Sequence, residues 1–327
     1  MLKENETLVS VVVPAYNVEK YIDECLYSVR NQTHKNLEII VINDASTDDT
    51  AKIIKKHVKE DPRVIFVDSD ENSGLSATRN KGLTMIHGEY VCFIDADDIV
   101  HCNFFEVLAS FLDDDPEVDI AQCILRKFHT IPESNRPSCC CCDFVAKTQA
   151  HKSEMIEMDG ATFVMQSNKM FRRKIFKNIR FPEGRLHEDL YVIYDEYTEA
   201  KKIIYTTSTC YYYRVGRSGA ITSQVSKKRM NDMVYAYDHM RKRAVENRDI
   251  DFAQFVVKKE LEDFVYLYSK CKEKDEELLH QIQDLFEEHE YMFTPRETTK
   301  FQLFFENPRI MGVFFNWKAR KCRKDEY

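Results

Sequence analysis

The sequence predicts an α/β fold, in which a mainly parallel sheet carries helices on both faces and a helical region follows. Two observations support this prediction. Short apolar runs alternate four times with helical patterns in the first hundred or so residues, and the runs are apolar throughout rather than on one face. Strands of that kind are typical of a parallel sheet covered on both sides. After residue 226 the apolar residues recur at helical spacing instead.

The predicted strands cover residues 8–14, 37–42, 64–67, 91–94 and 118–128. A helix is expected over residues 19–32, and another up to about residue 59 with Ser46 or Thr47 as its N-cap. Helices are also expected over residues 227–247, 251–272 and 276–291. We therefore divide the chain into an α/β domain, residues 1–225, and a helical C-terminal region, residues 226–327.

Composition excludes several classes of function. The chain of 327 residues has a net charge of -8 and a pI near 5.8, which argues against nucleic acid as the main partner. The N-terminus lacks the apolar core of a signal peptide, and no apolar run reaches the roughly 18 residues needed to cross a bilayer. We expect a cytoplasmic protein. The eleven cysteines suit a reducing compartment, and Cys139–Cys142, without a second ligand pair, is expected to be a reduced loop.

Polar residues follow the predicted strands at one edge of the sheet. In open parallel sheets ligands bind beyond the carboxyl ends of the strands, which brings together residues 14–17, Asp44, residues 72–79 and residues 95–98. The carboxylates of Asp95, Asp97 and Asp98 repel one another unless a cation lies among them, and hard oxygen ligands favour Mg²⁺ or Mn²⁺. The alternative is a solvated acidic turn that caps the next helix.

No glycine-rich phosphate loop follows the first strand. Both G-x-G-x-x-G and G-x-x-x-x-G-K-S/T are absent there. A diphosphate would therefore be held through a metal on the acidic cluster, which suits a nucleoside diphosphate that carries a leaving group.

The motifs V-S-V-V-V-P-A-Y-N, V-I-N-D-A-S-T-D-D-T, N-S-G-L-S-A-T-R-N-K-G and F-I-D-A-D-D, in this order over residues 8–100, resemble the family 2 glycosyltransferases of the GT-A fold. Ala45 stands where many members have glycine. The resemblance implies a nucleotide-sugar donor, most often a UDP-sugar, with Asp44 at the base and Asp97 on the metal. It also implies nucleotide contacts for Pro14, Ala15, Tyr16, Asn72, Arg79, Asp95 and Ala96.

Two later segments extend the resemblance. Residues 181–190 resemble the family's E-D motif, which implies Asp189 as the catalytic base and Glu188 as its orienting neighbour; simple helix capping is the alternative. Residues 210–222 resemble the Y-Y-R-x-x-x-x-S-I-T segment, in which Arg214 or Arg217 stabilises the diphosphate; a surface arginine is the alternative.

The implied function is inverting, metal-dependent transfer of a hexosyl or N-acetylhexosaminyl group to a glycan or lipid-linked acceptor in surface polysaccharide, lipopolysaccharide or capsule synthesis. A sugar-phosphate nucleotidyltransferase and a non-catalytic nucleotide-binding or scaffold protein are the alternatives. The tail, residues 309–324, combines aromatic and basic residues. It predicts either weak attachment to the inner face of the cell membrane or a helix docked on protein, and the C-terminal helices offer a homo-oligomer contact.

Overall fold

The computed structural model describes residues 6–129, 163–217 and 225–308. The Cys139–Cys142 run and the basic tail therefore lie outside the described residues. Contacts divide the chain into two units, here called the sheet unit (Met1–Arg185 and Asp195–Ser218) and the helical unit (Leu186–Tyr194 and Gly219–Tyr327). The helical unit thus includes a short segment that the sequence-based division had assigned to the α/β domain. The domain boundary at residue 225 stays a prediction.

The described part of the sheet unit contains an eight-stranded sheet. Its strands are β1 (Val9–Ala15), β2 (Leu37–Asn43), β3 (Val64–Asp68), β4 (Tyr90–Phe93), β5 (Ile99–Val100), β6 (Val118–Phe128), β7 (Lys169–Arg172) and β8 (Lys202–Arg214). Their order across the sheet is β3-β2-β1-β4-β7-β6-β8-β5. The pairings of β1 with β2 and β4, of β2 with β3 and of β6 with β8 are parallel. The predicted mainly parallel α/β fold is confirmed.

Strand β1 shows why the apolar runs become central strands. All seven of its residues are buried, and Val9 lies opposite Leu37 of β2 on one side and Tyr90 of β4 on the other. Helices α1 (Ile22–Arg30), α2 (Thr50–Glu60), α3 (Leu75–Leu83) and α4 (Phe104–Asp114) follow the strands in chain order. The amphipathic α1 turns Ile22, Cys25, Leu26 and Val29 toward the core.

The prediction that Ser46 or Thr47 caps α2 was wrong. The helix begins at Thr50 with Asp49 as N-cap residue, and no side chain caps it. Ser46 Oγ instead accepts a hydrogen bond from the backbone N–H of Asn17 at 2.9 Å. The backbone N–H of Thr47 donates to Asn17 Oδ1 at 2.8 Å. These residues join the loops after β1 and β2, so a competing tertiary contact replaced the local cap.

The described part of the helical unit contains the three helices that the C-terminal periodicity predicted, which are α6 (Lys227–Glu246), α7 (Ile250–Lys270) and α8 (Glu276–Glu288). It also contains a fourth helix, α9 (Pro295–Glu306), which was not predicted. Helix α5 (Glu188–Glu199) begins in this unit. A capping box starts α9, because Thr294 and Glu297 satisfy each other's backbone N–H groups. Within the described ranges, none of the helices is long and apolar enough to cross a membrane.

Candidate active site

The carboxyl ends of β1, β2, β3 and β4 lie side by side and carry the candidate site, here called the rim. It consists of the loops that follow these four strands and the end of β8. The backbone N–H of Asp44 donates to the carbonyl of Ala15 at 2.8 Å, and that of Ile94 donates to Val12 at 3.0 Å. Parallel pairing therefore places the first polar residues after each strand next to one another, as the sequence predicted.

Most predicted nucleotide contacts in the β1 loop are backbone or buried groups. Ala15 is almost fully buried at the end of the strand, whereas Tyr16 is 47% exposed. Asn17 holds this loop in a left-handed conformation, with φ of 50°, through its bonds to Ser46 and Thr47. Tyr16 is thus exposed on a turn that hydrogen bonds of its neighbour Asn17 hold in place, and a flat apolar group can stack on its ring.

Asp44 is buried and joins two loops of the rim. Its Oδ1 accepts hydrogen bonds from the backbone N–H and hydroxyl of Ser73, at 2.9 and 3.1 Å. Its Oδ2 accepts a hydrogen bond from the Gly74 N–H at 2.8 Å. Asn72 Nδ2 donates to the backbone carbonyl of Asp44 at 3.1 Å. A carboxylate has about four acceptor positions, so roughly one remains for a ligand. Ser73, which lies in the predicted segment 72–79 but was given no role of its own, supplies two of the donors.

Ala45 next to Asp44 has a φ of 56°. This left-handed conformation favours glycine, which explains why the alanine at this position was a notable departure from the family pattern.

Arg79 bonds to the acidic turn. Its Nη2 forms an ion pair with Asp95 Oδ1 at 3.0 Å, and only 4% of its side chain is exposed. The guanidinium carbon lies 5.8 Å from the centre of the Phe93 ring and 5.4 Å from that of Phe181. Such packing suits a planar, weakly hydrated cation. In this arrangement Arg79 orients Asp95.

Three carboxylates share the turn after β4, and each has a different environment. Asp98 is fully buried and accepts hydrogen bonds from Tyr211 Oη at 2.6 Å and from the Arg214 N–H at 2.7 Å. Burial and the neighbouring charges of Asp95 and Asp97 raise its pKa well above the usual range. Asp98 therefore anchors β8 beneath the rim. The sequence placed Asp98 in the acidic cluster without this role.

Asp97 is the carboxylate that Arg217 contacts. The Nε of Arg217 forms an ion pair with Asp97 Oδ2, and the side chains are 19% and 13% exposed. Burial raises the pKa of Asp97, Arg217 opposes this rise, and Asp95 adds to it. Negative charge is thus concentrated around Asp97, and the long side chain of Arg217 balances part of this charge.

Arg214 is held more firmly than Arg217. Its Nη2 pairs with Glu24 of α1 at 2.6 Å, and its Nε donates to the Asp97 carbonyl at 2.7 Å. The guanidinium lies over the rings of Tyr21 and Phe128, at 4.9 and 4.5 Å from their centres. The surface-arginine alternative does not describe either residue, because Arg214 is 8% exposed and Arg217 pairs with the turn.

The rim fits a divalent cation that is shared with a ligand. In the described part of the chain, no three or more His, Cys, Asp or Glu residues form a group able to hold a metal alone. Mg²⁺ and Mn²⁺ commonly take one or two protein carboxylates and complete their shell with phosphate oxygens and water. Asp97, partly exposed and next to two further carboxylates, meets this requirement. Asp98 is less suited, because it is fully buried and both of its oxygens already accept hydrogen bonds from the protein.

Glu188 and Asp189 belong to the helical unit, in the first turn of α5. Asp189 Oδ1 accepts a hydrogen bond from the backbone N–H of Leu190 at 2.8 Å. His187, just before the helix, has a φ of 60°, and burial lowers its pKa. The helix dipole stabilises carboxylates in the first turn of a helix. This stabilisation is the same for a capping carboxylate and for a catalytic one, so it does not distinguish the two roles.

The strand order and the Asp95-Ala96-Asp97 turn at the carboxyl-end rim agree with the GT-A class of fold. Residues 10–180 match the family described as "Glycosyl transferase family 2". The chain belongs to this glycosyltransferase family.

Individual relatives agree with this assignment. The chain is 33% identical over 242 residues to the glycosyltransferase GlyA of Streptococcus pneumoniae. The aligned region covers 70% of this chain and only 33% of GlyA. The chain is 30% identical over 266 residues to the putative glycosyltransferase EpsH of Bacillus subtilis, covering 80% of this chain and 75% of EpsH. It spans only 24% of GgaB, a minor teichoic acid biosynthesis protein of the same bacterium, at 30% identity over 68% of this chain.

Solved structures share the fold. Residues 1-349 of S. aureus TarS in complex with UDP-GlcNAc align with a TM-score of 0.66 and 21% identity, covering 98% of this chain and 92% of that one. The mannosyltransferase PcManGT from Pyrobaculum calidifontis, in complex with GDP-Man and Mn²⁺, aligns with a TM-score of 0.57 and 17% identity over 99% of this chain and 89% of that one.

Proposed function

We propose that this chain transfers a sugar from a UDP-sugar to an acceptor hydroxyl of a bacterial surface polymer, with inversion at the anomeric carbon. The observation that carries the proposal is the turn after β4, where Asp95, Asp97 and Asp98 share the rim with Arg217. The UDP-GlcNAc complex of TarS supports the donor class. The description of GgaB in teichoic acid synthesis supports the acceptor class.

The donor nucleotide would lie along the loops after β1 and β2. Tyr16 offers its exposed ring to the base, with the backbone of Pro14 and Ala15 below. The remaining acceptor position of Asp44 is available for an N–H of the base. Asp95, held by Arg79, would accept a hydrogen bond from the ribose. Ala96, which is buried between Asp95 and Asp97, would lie against the nucleotide through its backbone. Asn72 holds the Asp44 loop in place.

The diphosphate would be neutralised from two sides. A divalent cation on Asp97, when bound, supplies Lewis-acid neutralisation of the charge that develops on the leaving diphosphate. Arg217 has a side chain long enough to exchange its ion pair with Asp97 for one with a phosphate oxygen. Arg214 keeps the turn in place from beneath through its bond to the Asp97 carbonyl.

Asp189 is the proposed base, and this role is supported by the motif of residues 181–190. The acceptor oxygen forms a bond to the anomeric carbon while the bond from that carbon to the diphosphate oxygen breaks. The acceptor proton passes to the Asp189 carboxylate, and the electron pair leaves with the nucleoside diphosphate. Glu188 would orient Asp189 in this step.

A panel of nucleotide sugars tests the proposal. Thermal unfolding of the full chain is followed with UDP-GlcNAc, UDP-glucose, UDP-galactose and GDP-mannose, each with and without Mn²⁺. A ligand that binds only the folded state raises the unfolding temperature. We expect protection by at least one UDP-sugar, stronger with Mn²⁺, followed by UDP release in the presence of an acceptor. Protection by no nucleotide sugar would contradict catalysis, and binding without any turnover would favour the scaffold alternative.

A further inference from the structure

A second cluster of polar side chains lies at the opposite edge of the sheet from the rim. Strand β7 runs antiparallel to β4, so Arg172 at the end of β7 lies opposite Tyr90, the first residue of β4. Asp95 of the rim follows the other end of β4. The chain after Arg172 therefore starts at the amino-end edge of the sheet.

A cavity of about 550 Å³ opens at this edge, here called the basic cavity. Its lining includes five cationic side chains from one short segment: Arg172, Arg173, Lys174, Lys177 and Arg180. Leu83 at the end of α3, Ile86 just after this helix and Phe176 add an apolar wall. Phe176 is buried and fixed between the rings of Phe93 and Phe171.

Carboxylates compensate only part of this charge. Arg172 pairs with Glu89 at 2.9 Å, and Lys174 pairs with the buried Asp119 at 2.7 Å. Among the described residues, no carboxylate pairs with the remaining three cations, Arg173, Lys177 and Arg180. The guanidinium groups of Arg173 and Arg180 donate to backbone carbonyls, at 3.0 Å for His87 and 2.5 Å for Phe176.

All three of these side chains are on exposed residues of a chain whose net charge is -8. Like charges gathered around one concavity repel one another and attract a counter-ion. An arginine guanidinium can donate two parallel hydrogen bonds to one phosphate group, and a lysine ammonium group can donate to phosphate oxygens from several directions. The apolar wall suits a ligand whose phosphate is attached to a less polar body.

We propose that the basic cavity is a second anion site, which binds a phosphate-bearing group on Arg173, Lys177 and Arg180. The site is separate from the rim and does not depend on the proposed transferase activity. Its ligand chemistry is that of a phosphate ester or polyphosphate, which a soluble molecule or a phospholipid headgroup could present.

The test uses the full chain and two triple variants that remove the same number of positive charges. The cavity variant carries Arg173→Gln, Lys177→Gln and Arg180→Gln. The control variant carries Lys52→Gln, Lys56→Gln and Lys59→Gln on the exposed face of α2. Calorimetry measures binding of inorganic tripolyphosphate without divalent cations, so that the acidic rim repels the probe. Co-sedimentation measures binding to phosphatidylglycerol vesicles, with phosphatidylcholine vesicles as the neutral reference.

We expect the cavity variant to bind tripolyphosphate about tenfold or more weakly than the control variant, because two arginine forks and an ammonium group are lost. A parallel loss of binding to phosphatidylglycerol vesicles identifies a headgroup as a source, and a loss with tripolyphosphate alone identifies a soluble phosphate. Thermal unfolding confirms that both variants are folded. Cavity and control variants that bind both probes equally would overturn the proposal.

Discussion

Arg217 forms an ion pair through its Nε with Oδ2 of Asp97, the carboxylate proposed to hold the metal. If a divalent cation binds Asp97 as proposed, the cation and the guanidinium group compete for this carboxylate before the donor binds. Under the same proposal, a bound diphosphate gives Arg217 a second anionic partner and ends the competition. The ion pair would then link metal binding to donor binding.

The first prediction follows from this competition. Arg217→Gln should bind Mn²⁺ more tightly than the wild type when no nucleotide is present, because Asp97 loses its protein cation. The same variant should turn over a UDP-sugar about tenfold or more slowly, because one charge on the leaving diphosphate is no longer balanced. Calorimetry with Mn²⁺ and a UDP-release assay measure the two effects, with the exposed Arg126→Gln on β6 as control. Unchanged Mn²⁺ affinity would contradict the competition.

The second prediction concerns the base. Asp189→Asn should leave UDP affinity within about twofold of the wild type and lower the transfer rate by roughly 10²–10⁴, because the proton acceptor acts only in the transition state. Glu199→Gln at the other end of α5 is a control on an exposed residue. Loss of nucleotide binding together with turnover would instead indicate a structural cap.

The third prediction concerns backbone strain next to Asp44. Ala45 has a φ of 56°, so Ala45→Gly should stabilise the fold by about 0.5–1 kcal/mol, after the larger unfolded-state entropy of glycine is subtracted. Ala51→Gly, inside α2, should destabilise it by roughly 0.5–1 kcal/mol. Chemical unfolding measures both free energies. Equal destabilisation by the two substitutions would refute strain at Ala45.

The sequence was sufficient to predict β1–β4, β6 and the acidic turn, because an apolar run such as β1 has few alternatives to a buried strand. The strands β5, β7 and β8 were not predicted. The sequence did not reveal that β7 would run antiparallel between β4 and β6, since that pairing joins residues distant in the chain. The ion pair of Asp97 with Arg217 and the hydrogen bond of Asp98 with Tyr211 also join residues distant in the chain, so the sequence did not predict them. Where a local rule competed with a tertiary contact, as at Ser46, the tertiary contact prevailed.

The fourth prediction is a pH dependence in the helical unit. Glu260 of α7 is 1% exposed, and burial raises its pKa from 4.5 to about 8, with Arg241 lowering it and Asp238 raising it. Among the described residues, its Oε2 has no hydrogen-bond partner. The folded state therefore retains a proton that the unfolded state releases between pH 4.5 and 8.

This contribution to stability is fully present below pH 4.5 and decreases as the pH rises through about 8. Glu260→Gln should flatten the pH dependence of the unfolding free energy over this window by a few kcal/mol, because one pKa unit corresponds to about 1.4 kcal/mol. Urea unfolding at several pH values measures the slope, with the exposed Glu277→Gln as control. Parallel curves for the wild type and Glu260→Gln would contradict the prediction.

The central claim is that Asp97 holds a divalent cation for a nucleoside diphosphate, and calorimetry of UDP binding with and without Mn²⁺ tests it most directly. The wild type should bind UDP more tightly with Mn²⁺. Asp97→Asn should lose this enhancement and lower turnover of a UDP-sugar by on the order of a thousandfold, as expected when a Lewis acid is lost. The exposed Asp284→Asn should behave as the wild type. An Asp97→Asn variant with full Mn²⁺-dependent UDP binding would contradict the claim.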